Sequence, residues 1–168
     1  MHGFSKICTS IPDMVFNNKN MVENKNISVI MGISIDGILD YDILIGGAKS
    51  SNYASFIDKL SNTYMATTVY HDRASIHRSS LVTSVASKNN LEMNTLSAYS
   101  QDFNPIELLF HTLKISFRKA LKLIPQNTTY SMVDVVDRCI QSLIGVPLNN
   151  YYEHTIKIIN SLKPLEVV

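Results

Sequence analysis

Apolar and polar positions along the chain alternate between short β-rich runs and helical stripes. Residues 1–26 are polar, and an Asn/Lys-rich patch from Asn17 to Asn26 reads as loop. The run Ile27-Ser28-Val29-Ile30-Met31-Gly32-Ile33-Ser34 is short and rich in β-branched residues, the pattern of a buried strand. Asp36-Gly37 between two apolar runs predicts a hairpin, with a partner strand from about Ile38 to Ile45 ended by Gly46-Gly47. Asp36 therefore reads as a turn residue. A helix is expected from about Ser51 to Asn62 with Phe56, Ile57 and Leu60 facing inward. Ala66 to His71 returns to strand character and runs straight into Asp72. A helix from about Arg78 to Lys88 is expected to bury Leu81, Val82 and Val85, and a short strand near Glu92 to Leu96 precedes a loop from Ser97 to Phe103.

The clearest helix opens at Asn104-Pro105-Ile106-Glu107. Asn is a favoured N-cap, Pro a favoured first helical residue, and Glu three positions after the cap completes a capping box. Ile106, Leu109, Phe110, Leu113, Phe117, Leu121 and Ile124 then form a stripe of 3.6-residue period, and Pro125 marks the stop. Two more helices are expected at about Ser131 to Leu143 and Asn150 to Leu162. A hairpin followed by helix, strand, helix, strand and helix predicts a mixed α/β fold with parallel strands toward the C-terminal half.

Composition narrows the picture only a little. The 168 residues are 45% hydrophobic, enough for one domain with its own core. Charged residues make up 17%, below the roughly 25% of an average soluble domain. The net charge of +1 supplies no global attraction to nucleic acid, so any DNA contact must come from a local patch. Cys8 and Cys139 are far apart and the five histidines are scattered, so no disulfide framework or zinc site is indicated. The longest apolar stretch, Ile27 to Leu39, is broken by Ser28, Ser34 and Asp36 and is too short to span a bilayer. The chain reads as soluble and intracellular, with no membrane partner.

Two carboxylates stand out by position. Asp72 closes a buried strand, and ligands of open α/β sheets bind in the crevice beyond the carboxyl ends of parallel strands. Glu107 sits in the first turn of the helix that follows the next strand. The stretch between them is long enough for a helix, a strand and a loop, so the chain can return both side chains to one rim. Two hard oxygen ligands suit magnesium, which keeps several waters and takes few protein carboxylates. Taken singly, each residue has a plainer explanation: Asp72 as a turn residue and Glu107 as the capping-box Glu.

The surrounding sequence carries a resemblance. Val69-Tyr70-His71-Asp72-Arg73-Ala74-Ser75-Ile76-His77 resembles the second-aspartate motif of mariner-type DDE transposases and their insertion-sequence relatives, where a strand ends in Asp-Asn and a His follows. The segment Leu96 to Glu107, ending Asp102-Phe103-Asn104-Pro105-Ile106-Glu107, is similar to the family's Pro-x-Tyr-Ser-Pro-Asp-Leu-Asn-Pro-Ile-Glu, whose last residue is the third catalytic carboxylate. Ile33 to Ile38 resembles the family's hairpin, and Leu113-Lys114 its Leu-Lys further along the final helix. The resemblance implies a ribonuclease-H-like mixed sheet with flanking helices. It also implies two magnesium (or manganese) ions held by three carboxylates for cleavage and transfer of DNA strands. Asp72 and Glu107 would be the catalytic and metal-binding residues. His77, which follows that aspartate, and His111, Lys114 and Arg118, on one helical face with Glu107, are candidates for DNA contact.

Three departures from the family pattern matter. Arg73 stands where Asn is usual, placing a cation beside a metal ligand, and Gln101 replaces a Pro. Gly3-Phe4-Ser5 resembles the segment that follows the family's first Asp, so the chain is expected to start after that strand, N-terminally truncated. The sheet should then lack its first, central strand, leaving two inner edges unpaired. Pro12 argues against a replacement from residues 6–16, and Asp13 is the only nearby substitute carboxylate. The strand from Ile27 to Ser34 should pair directly with that ending at His71 or stay apart from it. The expected organisation is a partial DDE catalytic domain over residues 1–125 and a C-terminal helical extension over 126–168. The resulting reading is a transposase catalytic-domain fragment inactive alone. The alternative is a non-catalytic remnant that binds DNA or transposase subunits, homo-oligomers included. Its location would be the nucleus in a eukaryote or the cytoplasm in a bacterium.

Overall fold

The structure, a computed structural model, describes residues 26–65, 68–96, 104–125 and 128–161, together with the backbone of 5–9. The loop at 97–103, the Asn/Lys-rich patch before residue 26, Pro12 and Asp13 lie outside the described residues. The β-branched run forms β2 (Ile27–Ser34), turns through Ile35-Asp36 and returns as β3 (Gly37–Ile45). Pairing runs from Ile27↔Ile45 to Ser34↔Gly37, with a register shift between Gly32 and Ile33. The Ser34 hydroxyl accepts the Asp36 N–H at 3.2 Å, so Asp36 is the turn residue that its Asp-Gly context predicts.

Helix α1 (Ser50–Tyr64) crosses to β4 (Thr68–His71). A 3-10 turn (Ser75–Arg78) then leads to α2 (Ser80–Lys88) and β5 (Glu92–Thr95). The expected helix from Arg78 starts two residues later because the Ser79 hydroxyl caps it, accepting the Val82 N–H at 3.3 Å. That start turns Val82 and Ala86 inward, while Leu81 is 47% exposed, contrary to its expected burial. The chain closes with α3 (Pro105–Leu123), α4 (Met132–Gln141) and α5 (Asn149–Ser161).

The central strand is present, and here the sequence-based expectation fails. Ser5–Thr9 forms β1, and the sheet order is β3-β2-β1-β4-β5. β1 runs antiparallel to β2, from Lys6↔Ile33 to Thr9↔Ile30, and parallel to β4, with Ser5↔Val69 and Lys6↔Tyr70. β4 pairs in parallel with β5, from Thr68↔Glu92 to His71↔Thr95. The physical reason is backbone pairing. Two facing inner edges offer partners on both sides, and the five residues of β1 pair with part of each. β1 spans Ser5–Thr9 and so does not include Pro12.

The faces of β2 divide the core. Val29, Met31 and Ile33 pack with Ile106, Leu109, Phe110, Leu113 and Phe117 of α3 and with Val136, Cys139 and Ile140 of α4. Ile30 on the opposite face joins Val69, the Phe56, Ile57 and Leu60 stripe of α1, and Val82 and Ala86 of α2. Gly32 lets α1 approach closely: a Cβ there would lie 2.8 Å from Leu60 Cδ1. The result is three layers, with Asp72 directly after the C-terminal end of β4.

Candidate functional site

Asp72 follows the last residue of β4, so strand pairing fixes its backbone up to the preceding residue. Two buried imidazoles brace it. His71 is 2% exposed; its Nδ1–H donates to the Asp72 carbonyl at 2.7 Å, and its Nε2 accepts weakly from the Thr95 hydroxyl at 3.4 Å. Burial holds the His71 pKa below the ordinary imidazole value, against the raising effect of the Asp72 carbonyl. The neutral ring with its proton on Nδ1 matches both hydrogen bonds. The Asp72 carboxylate accepts the Ala74 N–H at 2.8 Å and lies 2.7 Å from His77 Nδ1, both through Oδ1. Its bond to Ala74 is an Asx turn, so the plain reading of Asp72 holds alongside any chemical role.

For Glu107 the plain reading fails. The Asn104 side chain makes no capping hydrogen bond to α3, and its Oδ1, in a residue 3% exposed, is buried without a partner among the described residues. The first turn is closed instead by the Glu107 N–H donating to the Asn104 carbonyl at 3.0 Å. The expected capping box is therefore absent, and Glu107 is half-buried at the helix start. Its pKa is raised above the usual carboxylate value. Burial is the largest cause, the Lys114 cation opposes it, and the Asp72 carboxylate raises it further. Asp72 and Glu107 thus lie near enough to feel each other's charge. Two carboxylates within electrostatic reach of each other, one of them half-buried, are compatible with a cation between them.

The donor set fits one hard divalent ion, which takes one or two carboxylates and completes its shell with water. Among the described residues no group of three or more His, Cys, Asp or Glu is placed to hold a metal. The central strand between β2 and β4 offers no third carboxylate, since β1 reads Ser-Lys-Ile-Cys-Thr. On α3, His111 and Arg118 are exposed and Lys114 is half-buried, so the basic face beyond Glu107 reaches solvent. His77 does not belong to that face. Its side chain is 0% exposed, and its ring lies 4.2 Å from that of Tyr53, which leaves no surface for a phosphate. Its sequence position at a helix start gave no sign of this burial, because the covering residue comes from α1. Arg73 is exposed beside Asp72. No helix among the described residues is long and apolar enough to cross a membrane.

The sequence profile described as DDE superfamily endonuclease matches residues 15–128, a span that holds both carboxylates. The chain belongs to that family. Its fold is similar to the crystal structure of the catalytic domain of Mos1 mariner transposase, with a TM-score of 0.63 at 17% identity over 92% of this chain and 77% of that one. Structures of the Mos1 catalytic domain with Raltegravir and Mg, and with Raltegravir and Mn, match with the same score and identity over 92% of this chain and 78% of theirs. At that identity the likeness establishes the ribonuclease-H-like fold of this DDE family member. No curated protein matches the sequence significantly.

Proposed function

We propose that this DDE family chain is a transposase catalytic domain, 1–125 with 126–168 as its helical extension, reduced to a two-carboxylate site. In this reading Asp72 and Glu107 hold one divalent cation, magnesium or manganese, against a DNA phosphate. His111, Lys114 and Arg118 track the backbone of the same DNA, and the chain works inside the cell, where DNA is available. One arrangement supports the reading: Glu107 is half-buried at the start of α3, receives no capping hydrogen bond from Asn104, and lies within electrostatic reach of Asp72. The Mg and Mn structures of the similarly folded Mos1 domain support the choice of ions.

A bound cation supplies Lewis acidity and charge neutralisation at a phosphodiester. The chain's own residues do the rest. Asp72 and Glu107 would hold the ion through their oxygens, and Lys114 opposes the carboxylate charge. The basic face of α3 then orients the backbone. With no Asp or Glu on β1, the central strand would supply no carboxylate to a second ion, so cation and DNA binding would outlast cleavage. The test is nicking of supercoiled plasmid in magnesium, and separately in manganese, by the chain and by its Glu107→Gln variant. The proposal expects no nicking that depends on Glu107. Robust nicking abolished by Glu107→Gln would show a working nuclease and contradict the reduced site.

A further inference from the structure

We infer that His77 is a positioning residue for Asp72, holding its carboxylate in the orientation that faces a cation shared with Glu107. The inference rests on the reading of Asp72 as a metal ligand and extends it to a residue that does not touch the ion. Asp72 lies past the end of β4, and its side chain is 40% exposed, so the strand alone does not select its rotamer. Two donors do so by converging on Oδ1, the Ala74 N–H at 2.8 Å and His77 Nδ1 at 2.7 Å. An ionised carboxylate only accepts, so the His77 proton is on Nδ1.

The ring itself is held firmly. Its side chain is 0% exposed, it lies 4.2 Å from Tyr53 at 40° and 5.3 Å from His71 at 81°, and the His77 N–H is tied to the Ala74 carbonyl at 3.1 Å. A side chain retained for packing alone has no reason to bury a ring nitrogen unmet, yet His77 Nε2 has no partner among the described residues. His71 acts in parallel on the backbone, donating to the Asp72 carbonyl. His71 thus fixes the main chain of Asp72, while His77 holds its carboxylate at 2.7 Å and lies 3.4 Å from the same carbonyl, the arrangement by which outer groups orient metal ligands.

The test uses the full chain and two substitutions. His77→Phe keeps an aromatic ring against Tyr53 and removes the donor; His77→Asn keeps a donor near the position of Nδ1 and removes most of the ring. Manganese affinity, read from the loss of the free-ion electron paramagnetic resonance signal, should weaken about 10–100-fold in His77→Phe. It should stay within about threefold of the parent in His77→Asn, as expected for a role in orientation. Equal affinity in His77→Phe and the parent, or equal losses in both variants, overturns the inference. A second readout needs no metal and no His77 variant. Long-range nitrogen–proton spectra of the metal-free parent should show His77 as a single Nδ1–H tautomer that is lost in Asp72→Ala; an Nε2–H or mixed tautomer in the parent overturns the inference. If the parent binds no manganese, the metal reading of Asp72 falls, and the tautomer result alone decides whether His77 orients that carboxylate.

Discussion

Replacing Glu107 with Gln should stabilise the metal-free protein at neutral pH, although Gln removes a group placed at the centre of the site. Burial is the main force raising the Glu107 pKa, the Asp72 charge adds to it, and Lys114 only partly offsets them. A carboxyl group whose folded-state pKa lies above its unfolded value binds more protons in the native state. Its contribution to stability therefore falls as pH rises through the interval between the ordinary carboxyl value, about 4.3, and the raised one. The penalty is full above the raised value, and below the ordinary value it vanishes. Glu107 is half-buried, so solvent screens part of the effect. A gain of about 0.5–2 kcal/mol is the scale of a single stabilising substitution. For a chain of this length, each kcal/mol moves the melting temperature by about 2–4 °C. Thermal melts of the parent and Glu107→Gln at pH 7 should show that gain without divalent ions, and the two curves should converge near pH 4. Adding manganese should raise the parent more than the variant, because only the parent keeps both carboxylates. A variant less stable than the parent at pH 7 would refute the reasoning, since Glu107 would then be making a favourable contact such as the missing cap.

Other consequences follow from separate parts of the structure. Gly32→Ala places a methyl 2.8 Å from Leu60 Cδ1 and should cost about 1–3 kcal/mol by overpacking, read as a lower urea midpoint with an unchanged slope. Tyr41→Phe removes a hydroxyl that donates to Asp137 Oδ1 at 2.5 Å and accepts from Gln141 Nε2 at 2.6 Å, linking β3 to α4. It should cost about 1 kcal/mol in the same assay, because the pair is partly solvated. If α3 tracks DNA, Lys114→Ala or Arg118→Ala should each reduce the slope of log affinity against log salt by about 0.9; an unchanged slope would remove that residue from the path.

Local chemistry made most elements legible. Pro125 and the apolar stripe bracket α3, the Asp-Gly pair marks the hairpin, and β-branched density marks β2. What escaped the sequence depends on distant neighbours. The five residues of β1 have no alternating pattern of their own and become a strand because β2 and β4 need a partner between them. Leu81 carries the right hydropathy for burial, but the Ser79 cap sets the helix phase that exposes it. Asp72 and Glu107 were visible from spacing and from the family resemblance, whereas the burial of His77 depends on Tyr53, over twenty positions earlier. The Asn104 cap is the reverse case: the local signal was strong, yet the Asn104 side chain makes no capping hydrogen bond to α3.

Whether Asp72 and Glu107 share an ion is most directly decided by manganese titration of the parent, Asp72→Asn, Glu107→Gln and the double variant. One ion bound by the parent, a large loss in either single variant, and little further loss in the double variant are the predicted results, because two ligands of one ion do not act additively. Unchanged affinity in either single variant, or losses that simply add in the double, would mean that the two carboxylates do not meet at a common cation.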